Sequence, residues 1–358
     1  MLFLKALILA GGFATRLRPL SCARPKTLFP IVNKPLLEWI FERLSQSDVD
    51  QAVLAVNALT QFYIRQHKIS KYGLKTKFSL DPPRKPLGTA GPIKKAEHLL
   101  GDEEPFFVLN GDIFADLNYK ELLKKHKQSN ATATIALYRV EDPSRFGVAE
   151  LGENNQIKRF IEKPAKGTAP TNYINAGIYV LSPQVFQYIP KGQAVSMERD
   201  VFPKLAAEGK LFGHIFEGIW MDIGKPDEYL AANNRILDLA AATQKRQKIA
   251  HSQLNKPVAL DSRVSVGKKS VIGPYATIGK NTVIGQGAQI SNSIIFPHAS
   301  IGDFCTIDGA IIGEGVTIGK NVKLKKGCIV ADHAKISGNL ELKEQLTVCP
   351  GKVVTETF

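Results

Sequence analysis

The chain has 358 residues, of which 44% are apolar and 22% charged, a length that favours two domains over one or three. No run reaches the ~20 apolar residues of a membrane helix, and the N-terminal stretch lacks a signal-peptide pattern, so we expect a cytoplasmic protein without membrane contact. The net charge of +14 favours anionic partners such as nucleic acid, membrane surfaces or phosphorylated small molecules.

The cysteine and histidine spacings argue against a metal or disulfide framework. The four cysteines are far apart without a CxxC pair, which predicts reduced thiols. The seven histidines show no HxxxH or HxH spacing, so we interpret them as structural. Basic runs at 124–127 and 245–248 lack interleaved aromatic residues; we expect solvated helix faces there and no nucleic acid partner.

The elements up to about residue 242 alternate between strands and helices. The runs KALILA, QAVLAV, TKFSL, PFFVLN and TATIALY predict strands, and PLLEWIFERLSQ and GPIKKAEHLL predict helices between them. This alternation predicts an α/β domain with a mainly parallel sheet. Ligands of such sheets bind beyond the carboxyl ends of the strands, so the loops after LILA and FFVLN belong at one edge if their strands are neighbours.

The pattern changes after a predicted helix over 226–248. Apolar residues then recur every six residues, with a five-residue step at each of two breaks, at Val266, Ile272, Ile278, Ile284, Ile290, Ile295, Ile301, Ile307, Ile312, Ile318, Leu324, Val330, Ile336, Leu342 and Val348. This hexapeptide repeat predicts a left-handed parallel β-helix with these residues pointing inward. The predicted boundaries are an α/β domain at 1–242, a linker at 243–262 and the β-helix at 263–358.

The stretch LILAGGFATRLRPL, residues 7–20, ends a strand in two glycines and then places two arginines beyond it. Glycine N–H groups can approach phosphate oxygens closely, and Arg16 can neutralise a polyphosphate, so the loop predicts phosphate binding. No GK[ST] follows, and GGFATR does not fit GxGxxG, so neither a P-loop ATPase nor a dinucleotide dehydrogenase is supported. When this loop is considered alone, an exposed structural role accounts for Arg16 as well as phosphate binding does.

Further motifs extend this loop in a fixed order. Around it lie Gly11, Gly12, Thr15, Arg16, Leu17, Pro19, Pro25, Lys26, Asn33, Lys34 and Pro35. LGTAGPI, LNGDI, FGV, IEKP, NAGIYVLSP and WMDIG follow, up to about residue 230. Together they resemble the signature of sugar-1-phosphate nucleotidyltransferases, the NDP-sugar pyrophosphorylases. LGTAGP, SMERDVFPKLAAEGKLFG and WMDIG before a hexapeptide domain are most similar to the mannose-1-phosphate guanylyltransferases.

The resemblance implies a Rossmann-like nucleotidyltransferase domain and a specific reaction. A sugar 1-phosphate oxygen attacks the α-phosphorus of a nucleoside triphosphate and releases pyrophosphate, most closely GTP and mannose 1-phosphate giving GDP-mannose. Because this nucleophile is already ionised, no general base is needed, and the sequence shows no Ser/His/Asp or Cys/His arrangement. Mg²⁺ is the implied cofactor.

The resemblance also implies three groups of site residues. The nucleotide-binding residues are Leu9, Ala10, Gly11, Gly12, Thr15, Arg16, Lys26, Gly88, Thr89 and Asp112, with Arg16 and Lys26 on the triphosphate and Gly88 facing the base. The sugar-phosphate-binding residues are Gly147, Glu162, Lys163, Asn175 and Gly177, with Lys163 on the phosphate and Glu162 on the hydroxyls. Asp112 and Asp222 would bind Mg²⁺ and, with Arg16 and Lys26, form the catalytic group.

Ordinary structural roles remain open for these residues. Lys26 would be a solvated loop lysine, and Glu162 with Lys163 a surface ion pair. Asp112 would cap a helix, and Asp222 would lie in a turn. Gly88 and Gly147 would form tight turns, and Asn175 would be a strand-end amide that bonds to backbone. The family often has glycine at the position of Ala14, so a positive φ there would strain the loop.

Other functions also remain open. They are a glucose-1-phosphate uridylyl- or thymidylyltransferase, a catalytically idle regulatory subunit of the same fold, and an acyltransferase that uses His298 or His333 of the repeats. We expect the β-helix to mediate assembly into a homodimer or a larger homo-oligomer.

Overall fold

The computed structural model describes residues 4–67, 69–82, 86–241 and 249–356. The chain forms two compact units, each described separately below. The first unit comprises Met1–Gly12 and Leu37–Asp222, and the second comprises Phe13–Leu36 and Ile223–Phe358.

The strands before the hexapeptide region are β1 (Leu4–Leu9), β2 (Pro30–Ile31), β3 (Lys34–Pro35), β4 (Val49–Val56), β5 (Lys75–Leu80), β6 (Phe106–Asn110), β7 (Ile113–Ala115), β8 (Ala133–Arg139), β9 (Gly147–Leu151), β10 (Ile157–Glu162), β11 (Tyr173–Leu181), β12 (Leu211–Ile215) and β13 (Trp220–Asp222). The α-helices are α1 (Leu36–Ser45), α2 (Ala58–Gln66), α3 (Gly91–Lys95), α4 (Glu97–Leu100), α5 (Tyr119–Gln128), α6 (Phe202–Ala207) and α7 (Pro226–Ala241).

A mixed sheet forms the centre of the first unit. Its order is β10-β9-β11-β6-β1-β4-β5, with β8 beside β11 and β12 beside β8. Strands β6, β1, β4 and β5 are parallel to their neighbours in this series, whereas β11 is antiparallel to β6. The apolar runs predicted as strands are therefore confirmed, and successive residues such as Leu7 and Ile8 are fully buried because the sheet is covered on both faces.

The helices follow the sequence patterns with one difference. GPIKKAEHLL forms two short helices, α3 and α4, instead of one. Helix α7 extends at least to Ala241, and the rest of its predicted length, 242–248, lies outside the described residues. In the basic run 124–127 on α5, Lys124, Lys125 and Lys127 are exposed, as expected, whereas His126 is buried because it faces the sheet. The run at 245–248 also lies outside the described residues.

The hexapeptide region forms three six-stranded parallel sheets, consistent with the predicted left-handed β-helix. Its strands are β14 (Gln253–Leu254), β15 (Val258–Leu260), β16 (Ser265–Val266), β17 (Val271–Ile272), β18 (Ala276–Ile278), β19 (Val283–Ile284), β20 (Gln289–Ser291), β21 (Ser293–Ile295), β22 (Ser300–Ile301), β23 (Thr306–Asp308), β24 (Ile311–Ile312), β25 (Thr317–Ile318), β26 (Lys323–Leu324), β27 (Ile329–Val330), β28 (Lys335–Ile336), β29 (Glu341–Leu342), β30 (Thr347–Val348) and β31 (Val353–Val354). Every predicted inward residue is buried except Val266, which is half-buried against the same core.

Two predicted boundaries differ from the structure. The sheets begin at Gln253, inside the predicted linker, because β14 pairs with β17 and β15 pairs with β18. Leu254 and Leu260 continue the six-residue spacing backwards and pack on the β-helix core. The second difference is that residues 13–36 and 223–241 belong to the unit of the β-helix, although the predicted α/β domain at 1–242 included them.

Candidate active site

The loops after β1 and β6 begin at the same edge of the central sheet. Leu9, the last residue of β1, pairs with Asn110, the last residue of β6, and Gly111 N donates a hydrogen bond to Leu9 O at 2.8 Å. Ala10 N donates to Ala55 O at 2.8 Å, which extends the sheet by one residue. The expectation that the glycine loop and the Asp112 loop share one edge is therefore met.

Gly11 is closely surrounded by the ends of β4 and β5. Asn57 Nδ2 donates a hydrogen bond to Gly11 O at 3.0 Å, and a Cβ atom at Gly11 would overlap the Asp81 carboxylate. A Cβ at Gly12 would meet no atom within 4 Å. Neighbouring atoms therefore leave no room for a side chain at Gly11, whereas the space beside the Gly12 backbone is free.

Asp112 and Asp222 are close neighbours although they are far apart in sequence. Strand β13 is antiparallel to β7, and Asp222 is paired with Ile113, the residue after Asp112. Paired Cα atoms in such ladders lie about 4.5–5.5 Å apart, so the backbone of Asp222 lies close to that of Asp112, one residue before its partner. Within the described residues, no group of three or more His, Cys, Asp or Glu could hold a metal. Two carboxylates are nevertheless the set that Mg²⁺ uses when phosphate oxygens and waters complete its shell.

The predicted sugar-phosphate residues lie on the neighbouring strands of the same edge. Glu162 of β10 pairs with Gly147 of β9, and Val148 pairs with Ile174 of β11, the residue before Asn175. A Cβ at Gly147 would lie 3.0 Å from Glu162 Oε2, which shows how near the carboxylate is. The order of strands thus brings Glu162, Gly147 and Asn175 to one side of β6.

Asn175 and Gly177 form a local break in β11. Gly177 has φ +73°, and a Cβ there would lie 2.6 Å from Asn110 Nδ2. Asn175 Oδ1 accepts from Gly177 N at 2.8 Å, and Asn175 Nδ2 donates to Tyr179 OH at 3.0 Å. The amide therefore bonds to backbone, as the structural alternative expected, but it does so at a break inside β11 and not at a strand end. Its contact with sugar stays a prediction.

Glu162 and Lys163 form an ion pair with different exposures. Lys163 Nζ lies 3.6 Å from Glu162 Oε1, and the lysine side chain is 59% exposed against 17% for the glutamate. Burial raises the pKa of Glu162, the nearby Glu198 raises it further, and Lys163 partly lowers it. Lys163 has φ +49°, and its N–H donates to Phe146 O at 3.0 Å, so the backbone there is fixed.

Glu198 lies among the candidate site residues, and the sequence analysis missed it. Its Oε2 accepts hydrogen bonds from Thr89 Oγ1 at 2.6 Å and Ser196 Oγ at 2.7 Å. Glu198, Glu162 and Asp112 all contribute to the high pKa of buried Tyr179, after burial itself, which places these acids around one phenol. The segment SMERDVFPK contributed to the family resemblance, but no local spacing singled out its glutamate.

Gly88 lies in a turn that only glycine fits. It has φ +71°, and a Cβ would overlap the carbonyl oxygen of Val195. Val195 N donates to Leu87 O at 3.0 Å, and Ala90 N donates to Val195 O at 2.9 Å. This is the tight turn that sequence reasoning left open, and the contact with a base stays a prediction.

Thr15, Arg16 and Lys26 belong to the second unit. Thr15 and Arg16 are exposed on a short 3-10 turn, and the next residue, Leu17, is fully buried. Ala14 has φ 45° and ψ 46°, the left-handed conformation for which the family often uses glycine, and Ser21 Oγ donates to Ala14 O at 2.8 Å. The strain considered for this position is therefore present. Lys26 begins another 3-10 turn and is half-buried.

His298 and His333, the residues of the acyltransferase alternative, both lie on exposed turns of the β-helix. Their φ values are 63° and 61°. His298 Nδ1 lies 3.4 Å from Asn281 Nδ2. Neither turn is flanked by a described cluster of metal-binding residues.

Comparisons with known proteins assign the chain to a family. The model of the Nucleotidyl transferase family matches residues 5–238. The chain belongs to the nucleotidyl transferase family. The GMPPB C-terminal domain model matches residues 254–358 of this nucleotidyl transferase, in agreement with sheets that start at Gln253.

Curated relatives of this nucleotidyl transferase are similar over nearly the whole chain. The "Mannose-1-phosphate guanylyltransferase catalytic subunit beta" of Danio rerio is 34% identical over 356 residues, covering 99% of this chain and 98% of the relative. The protein of the same name from Dictyostelium discoideum is 36% identical over 359 residues, with 99% and 98% covered.

Solved structures share the fold over about two thirds of the chain. HddC from Yersinia pseudotuberculosis is 28% identical, with a TM-score of 0.56 over 65% of this chain and all of HddC, and it has also been crystallised with GMP-PN. A Bacillus anthracis structure has a TM-score of 0.60 at 24% identity, covering 68% of this chain and 98% of that one, and shows the fold alone. In the described parts of this transferase, no helix is long and apolar enough to cross a bilayer.

Proposed function

We propose that the protein is a mannose-1-phosphate guanylyltransferase, which transfers GMP from GTP to mannose 1-phosphate and releases pyrophosphate. The carrying observation is the order of strands at one edge: β6, which precedes Asp112, lies between β1, which precedes Gly11, and β11, which carries Asn175. A nucleotide over β1 and a sugar phosphate over β11 would meet near Asp112. The names of the curated relatives and the GMP-PN complex of HddC support guanine and mannose.

The difficulty of this reaction is electrostatic. An ionised oxygen of mannose 1-phosphate forms a bond to the α-phosphorus, and the bond to the β-phosphate oxygen breaks, with the electron pair leaving on pyrophosphate. Two polyanions at such distances repel by several kcal/mol in a poorly hydrated site, so cations must offset the charge. Arg16 and Lys26 would bind the triphosphate, and Lys163 the sugar phosphate.

Asp112 and Asp222 are the residues that would hold Mg²⁺. Their donor set, one carboxylate at the end of β13 and one in the turn just before its partner strand β7, fits a cation that keeps waters and phosphate oxygens in its shell. When bound, Mg²⁺ would neutralise charge on the phosphate oxygens. Glu162, with a pKa raised by burial, would accept from a sugar hydroxyl, and Glu198 would keep Thr89 and Ser196 in place beside it.

The proposed substrates are tested by pyrophosphate release from the purified protein with Mg²⁺. Four nucleoside triphosphates are crossed with mannose, glucose and other sugar 1-phosphates. We expect GTP with mannose 1-phosphate to react fastest. Faster turnover of glucose 1-phosphate with UTP or dTTP would replace these substrates, and no turnover with any pair would favour the idle regulatory subunit.

The metal pair is tested by Asp112→Asn and Asp222→Asn, with exposed Asp102→Asn as the matched control. Each site variant should lose on the order of 100-fold or more in kcat, because one preorganised charge is lost. Mg²⁺ titrations should show weaker activation in both variants and an unchanged midpoint in the control. Variants that match the control would refute the assignment.

We also propose that the protein is a cytoplasmic homo-oligomer that associates through the β-helix. In the described residues, no strand pairs with the outer edges of β29, β30 and β31, and such edges favour association. All four cysteines are free, which suits a reducing compartment. Sedimentation equilibrium at micromolar concentration should show a dimer or larger species; only monomer would contradict this.

A further inference from the structure

In the sequence, a buried arginine stands between the two cationic residues that the proposed function places on the triphosphate. Arg16, Arg24 and Lys26 all lie on residues 13–36, named here the signature segment, which belongs to the same compact unit as the β-helix. Arg24 is only 9% exposed, whereas Arg16 is exposed. A buried guanidinium is costly to desolvate unless partners surround it.

The partners of Arg24 come from two neighbouring turns of the β-helix. Arg24 Nη2 donates a hydrogen bond to Glu314 Oε2 and lies 3.2 Å from Asp332 Oδ2. Asp332 is itself held, because its Oδ1 accepts from Glu314 N at 2.9 Å. The guanidinium carbon also lies 5.0 Å from the centroid of the Phe296 ring. Two carboxylates and an aromatic face thus fix one side chain.

The part of the signature segment after Lys26 is anchored to the same unit. The Phe29 ring centroid lies 5.5 Å from that of Tyr229 and 6.0 Å from that of Phe296. Tyr229 OH donates to Pro30 O at 2.5 Å.

Asn233 adds a bridge and is fully buried. Its Oδ1 accepts from Val32 N at 2.9 Å, and its Nδ2 donates to Thr277 Oγ1 of the β-helix at 2.8 Å. The segment is therefore held both before and after Lys26.

We propose that Glu314 and Asp332 of the β-helix are positioning residues, which act through Arg24 to fix Lys26 for the triphosphate. Only Pro25, whose φ is restrained, separates Arg24 from Lys26, so a shift of the guanidinium is transmitted along the backbone. Lys26 then starts a 3-10 turn closed by Leu28 N to Pro25 O at 2.9 Å and Phe29 N to Lys26 O at 2.9 Å. The β-helix would thus take part in catalysis as well as in assembly.

This inference rests on the proposed function, because it takes Lys26 as a triphosphate ligand. A purely structural ion cluster predicts a different result. Loss of a structural cluster lowers the midpoint of urea unfolding and leaves the two Michaelis constants in the same ratio. Loss of a positioning cluster raises the KM for GTP and leaves the KM for mannose 1-phosphate unchanged.

The test compares Glu314→Gln and Asp332→Asn in the full chain with Glu341→Gln. Glu341 pairs with Lys325 at 2.7 Å on the same β-helix, and both side chains are about half exposed. It therefore controls for the loss of a β-helix ion pair that is not part of the buried Arg24 cluster. We expect the KM for GTP to rise about tenfold in both cluster variants, by analogy with the partners that orient metal ligands, whose loss costs about 10–100-fold. The control should equal the wild type.

A second experiment measures whether the effect of Glu314→Gln depends on Lys26. In a Lys26→Met background, Glu314→Gln should add less than twofold to the KM for GTP, since the group it positions is gone. Fully multiplicative effects, or equal changes in both Michaelis constants, would overturn the inference. If the wild type turns over but Lys26→Met does not change the KM for GTP, the assigned role of Lys26 is wrong. If the wild type does not turn over, the proposed function is wrong.

A measurement without turnover completes the design. Amide hydrogen exchange at Leu28 and Phe29 should be faster in Glu314→Gln and unchanged in Glu341→Gln. Unchanged exchange in a folded variant would contradict the proposal. Should Glu314→Gln fail to fold, Arg24→Lys keeps the charge but loses the planar two-pronged geometry, and the same shifts in the KM for GTP and in exchange are required of it.

Discussion

Asp81 explains why the first residue of the glycine pair has no side chain. Its carboxylate occupies the space that a Cβ of Gly11 would need, and its Oδ1 is buried without a hydrogen-bond partner. Burial raises the pKa of Asp81, and the nearby Lys95 partly lowers it. The crowding comes from a side chain at the end of β5, so it can be removed by mutation.

Gly11→Ala should therefore lower kcat/KM for GTP by on the order of 100-fold, because a displacement of about 1 Å in a site has that effect. Asp81→Ala together with Gly11→Ala should recover most of this loss, since the overlapping carboxylate is gone. Gly12→Ala is the comparison, because its Cβ would meet no atom within 4 Å, and it should cost less. A double variant as poor as Gly11→Ala would show that Asp81 is not the cause.

At the scale of elements, α5 is joined to the sheet by a buried histidine. His126 Nδ1 lies 2.9 Å from Thr134 Oγ1 of β8, and its Nε2 lies 2.9 Å from Ser182 Oγ. Ser182 Oγ donates to Ala131 O at 2.8 Å, so its oxygen accepts from Nε2–H and leaves Nδ1 to accept from Thr134. Burial, helped by Lys127, lowers the pKa of His126 to about 4.

This pKa predicts a loss of stability in mild acid. The folded-state pKa lies below the unfolded value of about 6.5, so the unfolded chain takes up the proton first as the pH falls. The contribution of His126 to the free energy of unfolding is complete above pH ~6.5. It is lost as the pH falls toward about 4, and the loss amounts to at most about 3 kcal/mol.

Urea unfolding of His126→Gln should depend less on pH in this window than that of the wild type. Exposed His98→Gln is the control and should follow the wild type. Equal slopes for all three proteins would show that His126 does not carry this effect.

Elements with local signals were predictable, and the pairing of distant elements was not. The six-residue spacing gave the β-helix because each repeat carries its own inward residue, and LILAGG gave the position of the glycine loop after β1. Asp112 and Asp222 were named from family motifs, but their proximity depends on β13 pairing with β7 across about a hundred residues, which no local pattern encodes. Glu198 was missed for the same reason: it reaches Thr89 through a tertiary contact.

At the scale of the whole molecule, the compact units do not follow the order of the chain. The family model matches residues 5–238 as one stretch, but residues 13–36 and α7 pack in the unit of the β-helix. Phe29 and Tyr229 are fully buried there, together with Phe296 of the β-helix. Part of the matched stretch is therefore packed together with the β-helix.

A chain cut after Ala241 should consequently not behave as a functional catalytic domain. It would keep Phe29 and Tyr229 but lose Phe296 and both carboxylates that pair with Arg24. The aromatic rings would then expose apolar surface, and the Arg24 guanidinium would lose the two carboxylates that compensate its burial in the full chain. We expect the 1–241 protein to bind a hydrophobic dye and aggregate on gel filtration, with guanylyltransferase activity reduced by at least about 100-fold, as for a misplaced site. Ile307→Ala is the control for general loss of stability, because it removes apolar contacts inside the β-helix core and does not change the signature segment. It should lower the free energy of unfolding by about 2–5 kcal/mol. The folded variant should keep the KM for GTP of the wild type. A monomeric 1–241 protein with the activity of the full chain would show that the signature segment needs no support from the β-helix.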